Sequence, residues 1–126
     1  MVEYSVSGDG KRIDAYPKGI LRIKDAMDYF KRLSEDRRIE QGAVEIVHFK
    51  EVNDFKMSYS EMGAIAEGFQ VPKSIQKIDQ TIFVCHTNLA YGIGRMLQTL
   101  NEIANPESNI VIARTEEELK SLLNKS

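Results

Sequence analysis

Two short runs carry side chains that could do chemistry. Cys85-His86-Thr87-Asn88 sets a thiol beside an imidazole where an apolar run stops and a helical pattern begins. In open α/β sheets ligands bind outside the carboxyl ends of strands, so this junction is well placed for a site. Thr87 is an ordinary N-cap, and the helix N–H groups behind it could hold an anion or small ligand and lower the pKa of a neighbouring thiol. Against a thiol enzyme built on Cys85 and His86 stands the frequency with which cysteine is simply buried. The second run, Ser58-Tyr59-Ser60-Glu61, fits Ser-x-x-Glu. In that capping box the Ser58 oxygen accepts from a free helix N–H and Glu61 reaches back. The cap accounts for these residues fully. A phosphate on Ser58 or Ser60 would also sit on the positive end of a helix dipole, adding about −1.5 to −2 charge to a docking surface.

Other chemically suggestive residues read as structural. Gly92-Ile93-Gly94 resembles a fragment of a nucleotide fingerprint, but it lies inside a helical repeat and position 97 is Leu where a further Gly is needed. Close helix–sheet packing is the better use of these glycines, with Arg95 pairing to a carboxylate or to a carbonyl at a strand end. His48 alternates in phase with Val44 and Ile46, as a hydrogen-bonded histidine within a sheet would. Two histidines and one cysteine, with no His-x-x-x-His or Cys-x-x-Cys pair, make no metal site, and no cofactor is expected. Glu116-Glu117-Glu118 after Thr115 complements a helix dipole and forms a Thr-x-x-Glu box.

Composition narrows the class. The 126 residues are one domain's worth, with 42% apolar and 29% charged residues, ordinary values that exclude disorder and coiled coil. A net charge of −2 gives no basic field for nucleic acid. The one basic cluster, Lys31, Arg32, Arg37 and Arg38, is interleaved with Glu35, Asp36 and Glu40, as at a solvated helix end. A lone cysteine fits a reducing compartment. No apolar run approaches the ~18 residues of a membrane span, and Met1–Ser5 does not read as a signal peptide. A cytoplasmic protein is expected.

The elements that must position these residues follow from periodicity. Glu3–Ser7 and Lys11–Tyr16 alternate around Gly8-Asp9-Gly10, a hairpin signal, and Pro17 ends the second strand. Ile23, Ala26, Met27, Phe30 and Leu33 make one helical face over 23–37. Ala43–Phe49, apolar on both sides, predicts a central strand, with Val44, Ile46 and His48 opposite Val47 and Phe49. Glu51–Met57 reads as a polar connection. A second helix follows over Tyr59–Phe69, with Met62, Ile65, Ala66 and Phe69 inward, closed by Val71-Pro72. Ile75–Asp79 leads into a strand over Thr81–Cys85. The third helix buries Leu89, Ile93, Met96, Leu97, Leu100, Ile103 and Ala104 and stops at Pro106. A short strand at Asn109–Ala113 and a helix after Thr115, with Leu119, Leu122 and Leu123 inward, complete the order ββαβαβαβα. Four helices on a mixed, mostly parallel sheet are expected, opened by an N-terminal hairpin.

With Gly19 ahead of the first helix, Gly42 ahead of a β-rich run, Tyr91-Gly92-Ile93-Gly94-Arg95-Met96, and the ending Val111-Ile112-Ala113-Arg114 with Glu116, Glu117 and Leu122-Leu123, this order resembles the STAS (SpoIIAA-like) fold. The similarity spans nearly the whole chain and is nearest to small bacterial STAS-like proteins of mostly unassigned function. It implies a single layered α/β domain over 1–126, acting as a non-catalytic regulatory or binding module. Family members of known role dock a protein partner at the start of the second helix. A Ser in an Asp-Ser-Ser/Thr-Gly-like tetrad there is phosphorylated to release the partner. The matching region, Asn53–Ser60, has serines without the tetrad, which makes Ser58 a positional candidate.

The resulting expectation is a working surface that joins Asp54–Glu61 to the mouth at His86, Thr87 and Asn88. The alternatives are a small-ligand or anion binder at the Thr87 helix end and a thiol enzyme. A homodimer through the hairpin edge or an apolar helix face is compatible with the pattern. No nucleic acid or membrane partner is expected.

Overall fold

The computed structural model describes residues 2–68, 77–104 and 109–124. Asp-Gly chemistry builds the first hairpin. Strands β1 (Glu3–Val6) and β2 (Arg12–Tyr16) pair antiparallel, with Tyr4 opposite Ala15 and Val6 opposite Ile13. In the turn, the Asp9 carboxylate accepts from the Ser7 hydroxyl at 2.6 Å and from the Lys11 N–H at 3.0 Å. Gly10 takes φ +74°, and a Cβ on it would lie 2.2 Å from the Arg38 carbonyl oxygen. Only glycine meets both conditions, the left-handed backbone and the close approach. The Glu40 N–H then donates to the Gly10 carbonyl at 2.9 Å, stitching the hairpin to residues 38–40.

The chain continues through β3 (Lys18–Arg22), α1 (Ile23–Glu35), β4 (Ala43–His48), β5 (Glu51–Lys56), α2 (Tyr59–Gly68), β6 (Ile78–Val84), α3 (Asn88–Ala104), β7 (Ile110–Ala113) and α4 (Glu116–Leu123). Five strands form one sheet in the order β1-β2-β4-β6-β7, parallel except for β1. From β2 to β7 each crossover steps one strand over in the same direction. Right-handed crossovers therefore lay α1, α2 and α3 on one face. Ile13, Ala15, Val47 and Phe83 point into that layer with Phe30, Leu33, Ile65 and Leu97. The opposite face, Ile46, Ile82, Val84 and Ala113, is covered by Leu119 of α4. A buried side chain of this size contributes about 1.5–3 kcal/mol. The mixed, mostly parallel sheet, the opening hairpin and the four helices agree with the pattern read from the chain.

Two strands depart from it. Residues 51–56 form β5 rather than a polar connection, and β5 pairs parallel with β3 in a separate two-stranded ribbon. The element order is therefore βββαββαβαβα. Asn53 and Asp54 are poor strand formers, and the ribbon buries only Leu21 and Val52, so no alternation marks it. Its register slips between Gly19 and Ile20, where Gly19 has φ +69°.

Boundaries and faces also shift. α1 ends at Glu35, not Arg37, because Asp36 turns extended at the C-cap. β4 ends at His48, and β6 runs Ile78–Val84, leaving Phe49 and Cys85 just past their strands. On α1, Met27 is exposed and Tyr29 takes the buried place. On α3 the buried line is Ala90, Gly94, Leu97 and Asn101, while Leu89, Met96 and Ile103 are exposed. The helix lies down on its small residues, which let its axis approach the sheet. The side chains of Ala66 and Ala104, along with Phe69, Val71, Pro72, Ile75 and Pro106, lie outside the described residues.

The two glycines of α3 therefore do different things. A Cβ on Gly94 would stand 3.1 Å from Cys85 Sγ, whereas one on Gly92 would meet nothing within 4 Å. Gly92→Ala is expected to raise stability by up to ~1 kcal/mol through helix propensity alone. Gly94→Ala gains the same propensity but presses on the sulfur, so it should fall measurably short of Gly92→Ala in urea unfolding.

Candidate functional site: two helix starts and a buried carboxyl

The capping box at α2 forms as its spacing requires. The Glu61 N–H donates to Ser58 Oγ at 3.1 Å, and Glu61 Oε1 accepts from the Ser58 N–H at 2.8 Å. Such a cap contributes about 1 kcal/mol. Ser58, Tyr59 and Ser60 are all exposed, and the Tyr59 side chain projects from the first turn with 66% of its surface open. Asp54 is exposed on β5, its carboxylate accepting from the Phe55 N–H at 2.8 Å. Across the ribbon from Asp54 lies Ile20, an aliphatic side chain left 44% exposed. The start of α2 thus presents two serine hydroxyls and an aromatic ring at the surface, and the ribbon presents Ile20 and Asp54.

A second group gathers at the carboxyl ends of β6 and β7. Thr87 caps α3, accepting from the Ala90 N–H at 3.1 Å. His86 Nε2 lies 3.3 Å from Glu116 Oε1. Arg114 donates to Asn88 Oδ1 at 3.0 Å and lays its guanidinium 4.4 Å from the Tyr91 ring centroid. At α4 the Glu118 N–H donates to Thr115 Oγ1, while the Glu118 carboxylate reaches past the cap to the Arg114 N–H at 2.7 Å. The mouth is therefore a set of mutual contacts among side chains that remain exposed or partly exposed. No hydrogen bond among the described residues joins His86, Thr87 or Asn88 to Asp54–Glu61. Arg95 belongs to neither group. It donates to Gln98 Oε1 at 2.6 Å, and Gln98 donates in turn to the Ile110 carbonyl, the first residue of β7.

Cys85 is fully buried beneath Gly94. Burial pushes its thiol up to about 12, with the Arg114 charge only partly opposing. This is not the environment that activates a nucleophile, which needs a lowered pKa or an adjacent base. Native Cys85 should react with iodoacetamide at pH 8 about 100-fold or more slowly than in the urea-unfolded chain, read by mass spectrometry.

Two polar groups are tied to β4, one at the histidine that the alternation marks and one at a carboxyl that it does not. Asp14, Tyr16 and His48 share the sheet face beside α4. His48 Nε2 lies 2.9 Å from Asp14 Oδ1, and the ring stacks on Tyr16 with centroids 4.8 Å apart. Burial opposes ionisation of Asp14, but its bonds to His48 and Arg12 prevail and hold its pKa below the usual carboxylate value. His48 is thus the bonded sheet histidine its alternation implied.

On the other face Glu45 is 1% exposed. The Tyr29 hydroxyl donates to Glu45 Oε2 at 2.5 Å, and the Thr81 hydroxyl donates to Oε1 at 2.8 Å. Burial raises the Glu45 pKa, and the two hydroxyls only partly offset it. The signal was present in Ala43-Val44-Glu45-Ile46-Val47, where a charged residue falls in phase with the core positions Ala43 and Val47. Among the described residues no cluster of three or more His, Cys, Asp or Glu could hold a metal.

The buried acid has a signed consequence. A carboxyl whose folded pKa lies above its unfolded value near 4.5 gives stability that is complete below that value and is lost as pH rises towards the folded pKa. Glu45→Gln keeps the hydrogen bonds without the ionisation. Its stability relative to wild type should grow from pH 4.5 to pH 8, by at most ~1.4 kcal/mol per pH unit in urea unfolding.

No family model matches the chain, and no curated protein matches it. Solved structures do. One is the anti-sigma factor antagonist SpoIIAA in its unphosphorylated form, at TM-score 0.52 and 10% identity over 98% of both chains. Another is an uncharacterized DUF3478-family protein with a SpoIIAA-like fold from Shewanella loihica PV-4, at TM-score 0.58 and 12% identity over 97% of this chain and 92% of that one. At these identities the likeness is one of architecture. The hairpin, the parallel sheet and the helices on its two faces make this a SpoIIAA-like fold.

Proposed function

We propose that the protein is a non-catalytic regulatory module that recognises a protein partner through the start of α2, over Asp54–Glu61. The observation that carries this reading is Tyr59, two-thirds exposed in the first helical turn between two exposed serines. A large ring left open at one point, next to polar groups that can orient a partner, is the usual make-up of an interface anchor. One solved neighbour has a stated role, as an anti-sigma factor antagonist described in its unphosphorylated form. That name supports a regulatory reading, and Ser58 and Ser60, exposed at the start of α2, are where a phosphate would meet the docked partner. A phosphate there would gain from the helix dipole while placing about −1.5 to −2 charge against the docked partner.

Affinity capture from the source cell with wild type and with Tyr59→Ala tests this. Tyr59 packs against nothing in the core, so the variant should fold normally, and the captured partner should be lost or bound at least ~10-fold more weakly. Ser60→Glu should weaken capture in the same direction. A partner retained equally by all three proteins overturns the assignment of this surface.

A further inference from the structure

The outer side of α3 carries an apolar strip that the fold leaves uncovered. Leu89, Gly92, Met96, Thr99 and Ile103 follow one another at alternating steps of three and four residues, and all are exposed. At ~100° per residue such steps keep them on one side of the helix, opposite the buried line Ala90, Gly94, Leu97 and Asn101. The same spacing makes the seam of a two-helix coiled coil. Ile103 leaves 75% of its surface open and Leu89 48%. The two flanks of the strip differ. On one, Ile93 and Leu100 are half-buried against the core. On the other, Asn88, Arg95 and Glu102 are exposed. Arg95 bonds to Gln98, and no ion pair joins Arg95 or Glu102 to another described residue.

These flanks say what fits the strip. In a parallel pair of helices opposite flanks meet, which would set Arg95 against the partner's Leu100 and stack glycine on glycine. In an antiparallel pair like flanks meet, so a cation and an anion on one flank can find each other across the axis. A single offset then satisfies every contact. Ile103 lies over the partner's Gly92, Met96 lies beside the partner's Thr99, and Arg95 faces the partner's Glu102. Gly92 leaves the notch that Ile103 needs, since a Cβ on it would meet nothing within 4 Å. Two-fold symmetry repeats each contact, giving two ion pairs and two filled notches.

We propose that the outer strip of α3 is the interface of a homodimer, in which the α3 helices of two copies pack antiparallel about a two-fold axis. The occupant is a second copy because the strip is complementary to itself, in charge through Arg95 and Glu102 and in shape through Ile103 and Gly92. One helix pair is a small interface, so the dimer is reversible, with a dissociation constant of ~1–100 μM. This strip is separate from the start of α2, and the proposal does not depend on the function assigned to that surface.

Sedimentation equilibrium of the full chain from ~1 μM to ~1 mM reads the association directly. Wild type should dimerise within that range. Arg95→Glu alone and Glu102→Arg alone each set like charges across the axis twice and should weaken the dimer ~10-fold or more. An equimolar mixture of these two variants should form the heterodimer in preference to either homodimer, because every facing pair is then of opposite sign. Ile103→Ser and Gly92→Leu, which empty and fill the notch, should each abolish association. All four positions are exposed, and circular dichroism checks each fold. A wild-type chain that stays monomeric to ~1 mM overturns the proposal. A dimer that the single charge reversals leave unchanged also overturns it, as does a mixture with no heterodimer preference. Should a charge reversal not fold, Ile103→Ser and Gly92→Leu decide, and a dimer unmoved by them overturns the proposal.

Discussion

β4 is the constraint on which the rest of the structure depends. It pairs in parallel with β2 on one edge and β6 on the other, and it is covered on one face by α1–α3 and on the other by α4. A strand with neither a free edge nor an uncovered face has little access to water. Every polar side chain it carries must therefore find its partners inside the protein. Glu45 finds Tyr29 on α1 and Thr81 on β6, and His48 finds Asp14 and Tyr16 on β2. These partners come from the elements that bracket β4, so the polar residues fix its neighbours as well as tolerating them.

The same topology decides where recognition is available. Crossovers in one direction stack three helices on one face and leave their starts at loops and strand ends. One such start, at α3, engages His86, Asn88, Arg114 and Glu116 in contacts with one another at the surface, with the thiol beneath it buried. The other, at α2, caps itself through Ser58 and Glu61 yet leaves Tyr59 free. On the β3–β5 ribbon that precedes it in the chain, Ile20 and Asp54 are exposed on paired strands. The proposed docking surface is what the cap at α2 leaves exposed.

How much was legible in the chain follows from the physics of each element. Ala43–His48 announced itself because burial on both faces demands apolar side chains of both parities. The helix starts at Ser58, Thr87 and Thr115 were visible because capping needs a specific oxygen at a fixed spacing. The ribbon was hidden because two short strands with one wet face require no pattern, and Asp54 and Asn53 argue against strand. The apolar positions of α3 do not mark its buried face. The true contact uses Ala90 and Gly94, whose value is closeness, while Leu89 and Ile103 remain outside. Of the site residues, Ser58, Thr87 and His48 were readable from local spacing. The Glu45 trio needed partners 16 and 36 residues away, which periodicity cannot supply.

Under the proposed function the molecule works by presenting the start of α2 to another protein. Amide hydrogen exchange of the chain alone and in complex with its captured partner tests that most directly. The expected result is new protection concentrated over Asp54–Glu61 and on the outer side of β3, with exchange at His86–Asn88 and Arg114–Glu118 unchanged. Protection confined to those latter segments, with Asp54–Glu61 exchanging as freely as in the isolated protein, would contradict it.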